Sequence, residues 1–145
     1  QALSGALSNI TLGTDAPRIF KGLVESICFG SRAIVDRFLE EGLSIDEIVG
    51  VGGVAYKSPY VMQTLANILQ RPVKISAADQ AGALGCAMYA SVASGIHPNL
   101  DQAILKMGRG FKHVYQPEGG LLDLYLKKYQ SYLRLGSFLE ADQKN

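Results

Sequence analysis

Ile48-Val49-Gly50-Val51-Gly52-Gly53-Val54-Ala55-Tyr56-Lys57-Ser58-Pro59 is the stretch where the chain changes character. A short β-branched run from Ile48 to Val51 reads as a buried strand, and it stops abruptly at two glycines. Gly52 and Gly53 free φ for a tight turn and leave bare backbone that a flat ring or a phosphate can approach. Ser58-Pro59 then reads as the cap and first turn of a new helix, through about Leu69. Ligands in open α/β sheets lie beyond the carboxyl ends of strands, which is where this turn falls. The pattern is neither a Walker A loop nor a G-x-G-x-x-G fingerprint. By itself such a pair after a strand is more often only a turn.

Upstream, Ile10 to Leu12 reads as a small strand, and Thr14 or Asp15 caps a helix with Pro17 in its first turn. From Arg18 to Glu41, Phe20, Leu23, Ile27, Ile34 and Phe38 recur at spacings of three, four and seven, one side of a long helix that predicts its core face. Gly22, Ser26 and Gly30 predict close approach of another element along a second side, and Gly42 predicts the stop. Downstream, Val61, Leu65, Ile68 and Leu69 predict the core side of the helix after Pro59. Arg71-Pro72 breaks it, and Val73 to Ile75 forms the next strand. Asp79 reads as the cap of a helix to about Ser94, crowded with alanine and glycine, and Leu100 to Met107 reads as another. Tyr115-Gln116-Pro117 reads as extended or turn-like. Leu121, Leu122, Tyr125, Tyr129, Tyr132 and Leu133 then define a final amphipathic helix ending near Gly136. Helix, strand, glycine turn, helix, strand, helix predicts an α/β fold, a small sheet covered by long helices. So few strands under so many helices look like a piece of something larger.

With 145 residues, 48% hydrophobic and 19% charged, the chain has the composition of a globular domain. A net charge of +1 gives no reason to expect nucleic acid or an anionic membrane surface as partner, and no apolar run approaches membrane length. Cys28 and Cys86 each sit in an apolar helical pattern and read as buried, reduced thiols, consistent with a cytoplasmic setting. His97 and His113 are too isolated to predict a metal site. Asp15, Asp79 and Asp101 are explained as helix caps, so no catalytic residue is nominated.

Gly52-Gly53-Val54-Ala55-Tyr56-Lys57-Ser58-Pro59, Met62-Gln63, Arg71-Pro72-Val73, Asp79-Gln80 and Ala83-Leu84-Gly85-Cys86-Ala87, taken in order, resemble the carboxyl-terminal domain of the FGGY carbohydrate kinases. Leu12-Gly13-Thr14, Phe29-Gly30, Arg32 and the tail from Tyr115-Gln116-Pro117 to Tyr125, Tyr129 and Leu133 fit the same family. The resemblance implies a partial actin-like, ribonuclease-H-like ATPase domain over residues 1–145, with a helical tail over about 117–142. It implies phosphorylation of a sugar, a pentulose such as L-ribulose, by ATP with Mg²⁺ in the complete enzyme. It places Gly52, Gly53, Val54, Lys57 and Ser58 beside the adenosine. The Asp79 to Ala87 stretch becomes mainly a packing helix, with Phe29, Gly30 and Arg32 as scaffold.

The family's sugar-binding residues, catalytic aspartate and phosphate loops have no counterpart here, so the sugar would be met through an absent amino-terminal domain. The chain, opening at Gln1, is therefore expected to be an inactive fragment that self-associates through surfaces left uncovered. The competing reading is a non-catalytic interaction or scaffold module that kept the actin-like fold.

Overall fold

The computed structural model describes residues 5–142. Its elements in chain order are α1 (Ala16–Glu40), β1 (Ile48–Gly50), α2 (Gly53–Lys57), α3 (Pro59–Leu69), β2 (Val73–Ser76), α4 (Ala81–Ala93), α5 (Leu100–Met107), β3 (Phe111–Tyr115) and α6 (Leu122–Asp142). They form two compact units. Residues up to 45, 67–70 and those from 117 onward make the first, and residues 46–66 and 71–116 the second.

The first unit is built on α1 and α6. Asp15 caps α1 by accepting the Arg18 amide at 3.0 Å, with Pro17 in the first turn as the sequence predicts. At the other end Gly42 takes φ +81°. Its N–H donates to the Leu39 carbonyl and that of Leu43 to Phe38, both at 3.0 Å, which satisfies the last carbonyls in a Schellman arrangement. No strand forms at Ile10 to Leu12. Thr14 Oγ1 accepts the Thr11 amide there instead, closing a local turn in place of a ladder.

The buried side of α1 is not the predicted one. Phe20, Leu23, Ile27, Ile34 and Phe38 are exposed, whereas Val24, Glu25, Cys28 and Phe29 are buried. The reason lies in α6, whose tyrosines meet a neighbouring face. The Phe29 ring sits 6.4 Å from that of Tyr125 and 5.7 Å from those of Tyr129 and Tyr132. Close approach does occur at Gly30, where a Cβ would lie 3.6 Å from the Tyr132 hydroxyl, while one at Gly22 would meet nothing. The guanidinium of Arg32 lies 4.6 Å from the Tyr129 ring centre and donates to the Ile68 carbonyl at 3.1 Å, a scaffold role. Asn67 fixes the approach to α6. Its Nδ2 donates to Glu118 Oε2 at 2.9 Å and its Oδ1 accepts the Glu118 amide at 2.8 Å. Gly136 does not end α6, which continues to Asp142. One glycine costs a helix about 1 kcal/mol, which neighbouring turns can absorb.

The second unit holds a mixed sheet in the order β1-β2-β3. β1 and β2 are parallel, with Ile48 opposite Val73 and Gly50 opposite Ile75. β3 is antiparallel to β2, Val73 pairing with Tyr115 and Ile75 with His113. The central strand is thus β2, and Val73 and Ile75 are its fully buried residues. β1 stands at an edge, and Val49 is exposed where a buried strand was expected. The sequence reading also missed β3, whose Phe111 to Val114 are exposed and show no inward alternation. On α3 the deepest positions are Ala66 and Ile68, followed by Asn67, Thr64 and Met62, with Val61, Leu65 and Leu69 only half-buried.

α4 and α5 pack on each other. Asp79 does not cap α4. Gln80 holds that place without a side-chain bond, whereas Asn99 caps α5 by accepting the Gln102 amide at 2.9 Å. The small residues Gly82, Ala83, Ala87 and Ala90 of α4 face outward, as does Cys86, contrary to the expectation of two buried thiols. Met88 and Ser91 are the positions that α4 buries.

Candidate functional site

β1 ends at Gly50, and the segment beyond it is more ordered than a bare turn. Gly52 adopts φ +85° and ψ −177°, a region open essentially to glycine alone, and it reverses the chain into α2. The expectation of a helix opening only at Ser58-Pro59 is therefore corrected. Gly53 and Val54 start the one-turn helix α2, Lys57 ends it, and Ser58 joins it to α3. The Ser58 amide donates to the Val54 carbonyl at 3.0 Å, while its own carbonyl accepts the Met62 amide at 3.2 Å. Stacking one helix directly onto another uses backbone groups that would otherwise need side-chain caps.

The five residues singled out from the sequence thus fall on one short connection. Gly52, Gly53, Val54 and Lys57 are exposed and Ser58 is half-buried. A Cβ built on Gly52 or on Gly53 would meet no atom within 4 Å, so both glycines border open space. Gly50 differs. Its Cβ would lie 3.0 Å from Ile75 Cδ1, 3.3 Å from Ala55 Cβ and 3.5 Å from Met62 Sδ, which makes it a packing glycine that lets α2 and α3 lie against the sheet.

The sequence reading missed Tyr56. Its hydroxyl donates to the Ala78 carbonyl at 2.5 Å and ties α2 to the loop that leaves β2. The carboxyl ends of the two parallel strands are thereby joined by one hydrogen bond. A recess of about 430 Å³ opens beside that loop, lined by Ala77, Ala78, Asp79, Gln80 and Arg109 among others. No spacing rule in the sequence links Tyr56 to Ala78 or Arg109 to Asp79, because the sheet alone brings these segments together.

Such a site can accept a flat group against bare backbone at Gly52-Gly53. Among the described residues no group of three or more His, Cys, Asp or Glu side chains stands together that could hold an ion by itself; Mg²⁺ in phosphoryl-transfer sites is held largely by the nucleotide's phosphates and water. No described helix is long and apolar enough to cross a membrane.

Comparison with known proteins bears on the chain as a whole. Residues 1–94 match the pattern of the FGGY family of carbohydrate kinases, C-terminal domain. The chain belongs to that family. It is 38% identical over 140 residues to the ribulokinase of Vibrio parahaemolyticus, covering 97% of this chain and 25% of the relative. With the ribulokinase of Halalkalibacterium halodurans it shares 37% identity, over 94% of this chain and 25% of the relative. The chain thus spans about a quarter of the length of the curated relatives it matches. Its fold is similar to that of the xylulose kinase from Rhodospirillum rubrum at a TM-score of 0.84, with 20% identity over 98% of this chain and 28% of that one. The actin-like fold expected from the sequence is the one found. Within this FGGY chain, the glycine pair, Tyr56 and the β2–α4 loop are the residues at the carboxyl end of the parallel strands.

Proposed function

We propose that residues 1–145 form part of the nucleotide-side domain of an ATP-dependent sugar kinase, with 117–142 as its helical tail, and that they hold the adenosine of ATP. The observation that carries this reading is the open space beside Gly52 and Gly53, at the carboxyl end of β1, with Tyr56 tying that turn to the end of β2. Bare backbone there lets one face of a purine ring pack against the chain, with Val54 as apolar neighbour and Lys57 and Ser58 as polar ones. When bound, ATP supplies the phosphoryl group for transfer to a sugar hydroxyl. The residues of this chain bind and orient only its adenosine end.

The ribulokinase relatives support a pentulose such as L-ribulose as the sugar; the reading adds a separate amino-terminal domain that meets the sugar, Mg²⁺ as the cation and a cytoplasmic setting. Phosphoryl transfer rests on positioning and charge neutralisation. The chain alone supplies neither at the reacting phosphate. It also leaves β1 with an edge unpaired among the described residues, a template for self-association of the isolated chain. Sedimentation giving one monomer at every concentration would remove that part of the reading.

The test is a nitrogen–proton NMR titration of the chain with ATP. With adenosine contacts alone the expected Kd is about 1 mM, on the order of −4 kcal/mol. Shifts should cluster at residues 52–58 and the loop after β2, and they should vanish in Gly53→Val. That side chain enters open space in the chain but the space of a bound ring. Shifts elsewhere, or shifts unchanged in the folded variant, would favour a scaffold module that has kept the fold without the ligand.

A further inference from the structure

α1 and α6 do not close on each other along their whole length. A recess of about 450 Å³ opens between them, with residues 6–9 as a third side, all within the first unit. Phe29, Leu124, Tyr132 and Leu135 form its apolar wall, the Phe29 and Tyr132 rings standing 5.7 Å apart at 40°. Gly22 borders it, and a Cβ there would meet no atom within 4 Å, so open space rather than packing faces that position. Recesses of this size, mainly apolar with a few polar groups, are the usual seats of small molecules.

The polar lining sorts by what each group has left to offer. Ser26 donates to the Leu23 carbonyl at 2.8 Å and Ser131 to the Lys127 carbonyl at 3.2 Å, so neither hydroxyl proton is free. Glu25 is buried, and both its oxygens accept from Lys128. Lys21 adds a longer ion pair to the same carboxylate. An ammonium carries three donors, so Lys128 keeps one after serving Glu25, and it still reaches solvent. Lys127 lines the recess, and its ammonium has no acceptor among the described residues. Neither has the carboxamide of Asn9 a partner there, on a backbone held at φ +61°. Two lining ammoniums against one lining carboxylate leave an excess of positive charge beside an aromatic wall.

We infer that this recess binds a small organic anion, a carboxylate carried on a flat apolar body. The carboxylate sits between Lys127 and Lys128, and the body lies on Phe29, Tyr132 and the flanking leucines. A bare inorganic anion would leave that wall in water, and a neutral hydrophobe would leave the two ammoniums without their acceptor. A sugar, polar on every side, matches the wall no better. Charge-assisted hydrogen bonds from lysine fix the head, and ring contacts fix the body. The recess shares no lining residue with the turn at 52–58, so this inference does not rest on where ATP binds.

Calorimetric titration with 1-naphthoate tests it, on the intact kinase polypeptide that carries this sequence and on the 145-residue chain. Both should bind one naphthoate per chain. 1-Naphthalenemethanol, the same rings without the charge, should bind about 10-fold more weakly or worse, and inorganic phosphate should give no heat. Lys127→Gln should weaken naphthoate about 10-fold. Gly22→Leu should abolish binding, because its side chain enters the open space, and leucine favours a helix over glycine. Should Gly22→Leu fail to fold, Lys127→Gln at an exposed position decides the matter. Equal affinity for the alcohol, or naphthoate affinity unchanged by the Lys127 and Gly22 variants, would overturn the inference. So would loss of binding in Gly53→Val, which would put the probe at the glycine turn. Binding by the chain but not by the intact polypeptide would overturn it too, by showing the recess filled from outside these residues. A failed ATP titration leaves a positive naphthoate result standing, and the reverse also holds.

Discussion

Lys128 reaches both carboxylate oxygens of Glu25, at 2.8 and 2.7 Å, across 103 residues of sequence. The carboxylate is buried, at 8% exposure, while the ammonium keeps 35% and reaches solvent. A further lysine, Lys21, stands 3.9 Å away on the same helix. The pair joins α1 to α6 at a point where the surrounding contacts are aromatic.

Removing the cation should cost more than the pair is worth, because a carboxylate would remain buried with only the longer ion pair to the exposed Lys21. Lys128→Met is expected to destabilise the chain by about 2 kcal/mol in urea unfolding. Adding Glu25→Leu to that variant should restore most of the loss. A double variant no more stable than the single one would show that packing, not the stranded charge, sets the cost.

The three glycines around β1 should respond in three different ways. Gly50→Ala forces a methyl to within 3.0 Å of Ile75 Cδ1 and should cost about 1–3 kcal/mol as overpacking. Gly52→Ala meets no atom but strains a backbone at φ +85°. Gly53→Val meets neither obstacle and should change stability by about 0.5 kcal/mol or less. Denaturation midpoints of the three variants check the order, and a Gly53→Val that unfolds would contradict it.

Two buried groups predict weakening in alkali. Burial, helped by the neighbouring Glu25 carboxylate, pushes the Cys28 thiol up from 9.0 to about 11. Burial, then the hydrogen bond to Asp36, pushes the Tyr129 hydroxyl up from 10.0 to about 12. Both folded values exceed the unfolded ones, so above pH 9 the unfolded chain releases protons that the folded chain retains. Their contribution is complete below about pH 9 and is lost as pH rises to about 12. Urea midpoints between pH 8 and 12 should fall throughout that window. Tyr129→Phe should flatten the part between pH 10 and 12, and an unaltered slope there would exclude Tyr129 as a source.

The isolated chain should release no ADP from ATP in response to L-ribulose. The residues that hold adenosine in the proposed site include no group placed to take a proton from a sugar hydroxyl. Sugar-dependent turnover by chain free of contaminating kinase, measured with a coupled ADP assay, would refute this.

The sequence carried the helices well, and the reasons are local. Asp15, Pro17 and Gly42 bound α1 because capping and positive φ are decided within a few residues. β1 and β2 were legible from their β-branched runs. The misses come from information that is not local. Phe20 and Ile27 obey the right period, but which face is covered depends on α6, whose tyrosines select Phe29. β3 lacks alternation because Phe111 to Val114 are exposed, so only its pairing with β2 marks it as a strand. At the site, Gly52 and Gly53 were visible as residues, yet Tyr56 became relevant only through its bond to Ala78, 22 residues away.

Gly52 and Gly53, adjacent and chemically identical, would part company under selection. The chain's own geometry keeps the first, since any other residue inherits a forbidden backbone, and neighbouring side chains keep Gly50 in the same way. No described neighbour keeps Gly53. In a library enriched only for soluble, folded protein, position 53 should drift freely while 50 and 52 stay fixed. In a library of the intact kinase enriched for function, the proposed adenosine site predicts that all three hold, so the difference at one position separates what folding demands from what a bound molecule demands.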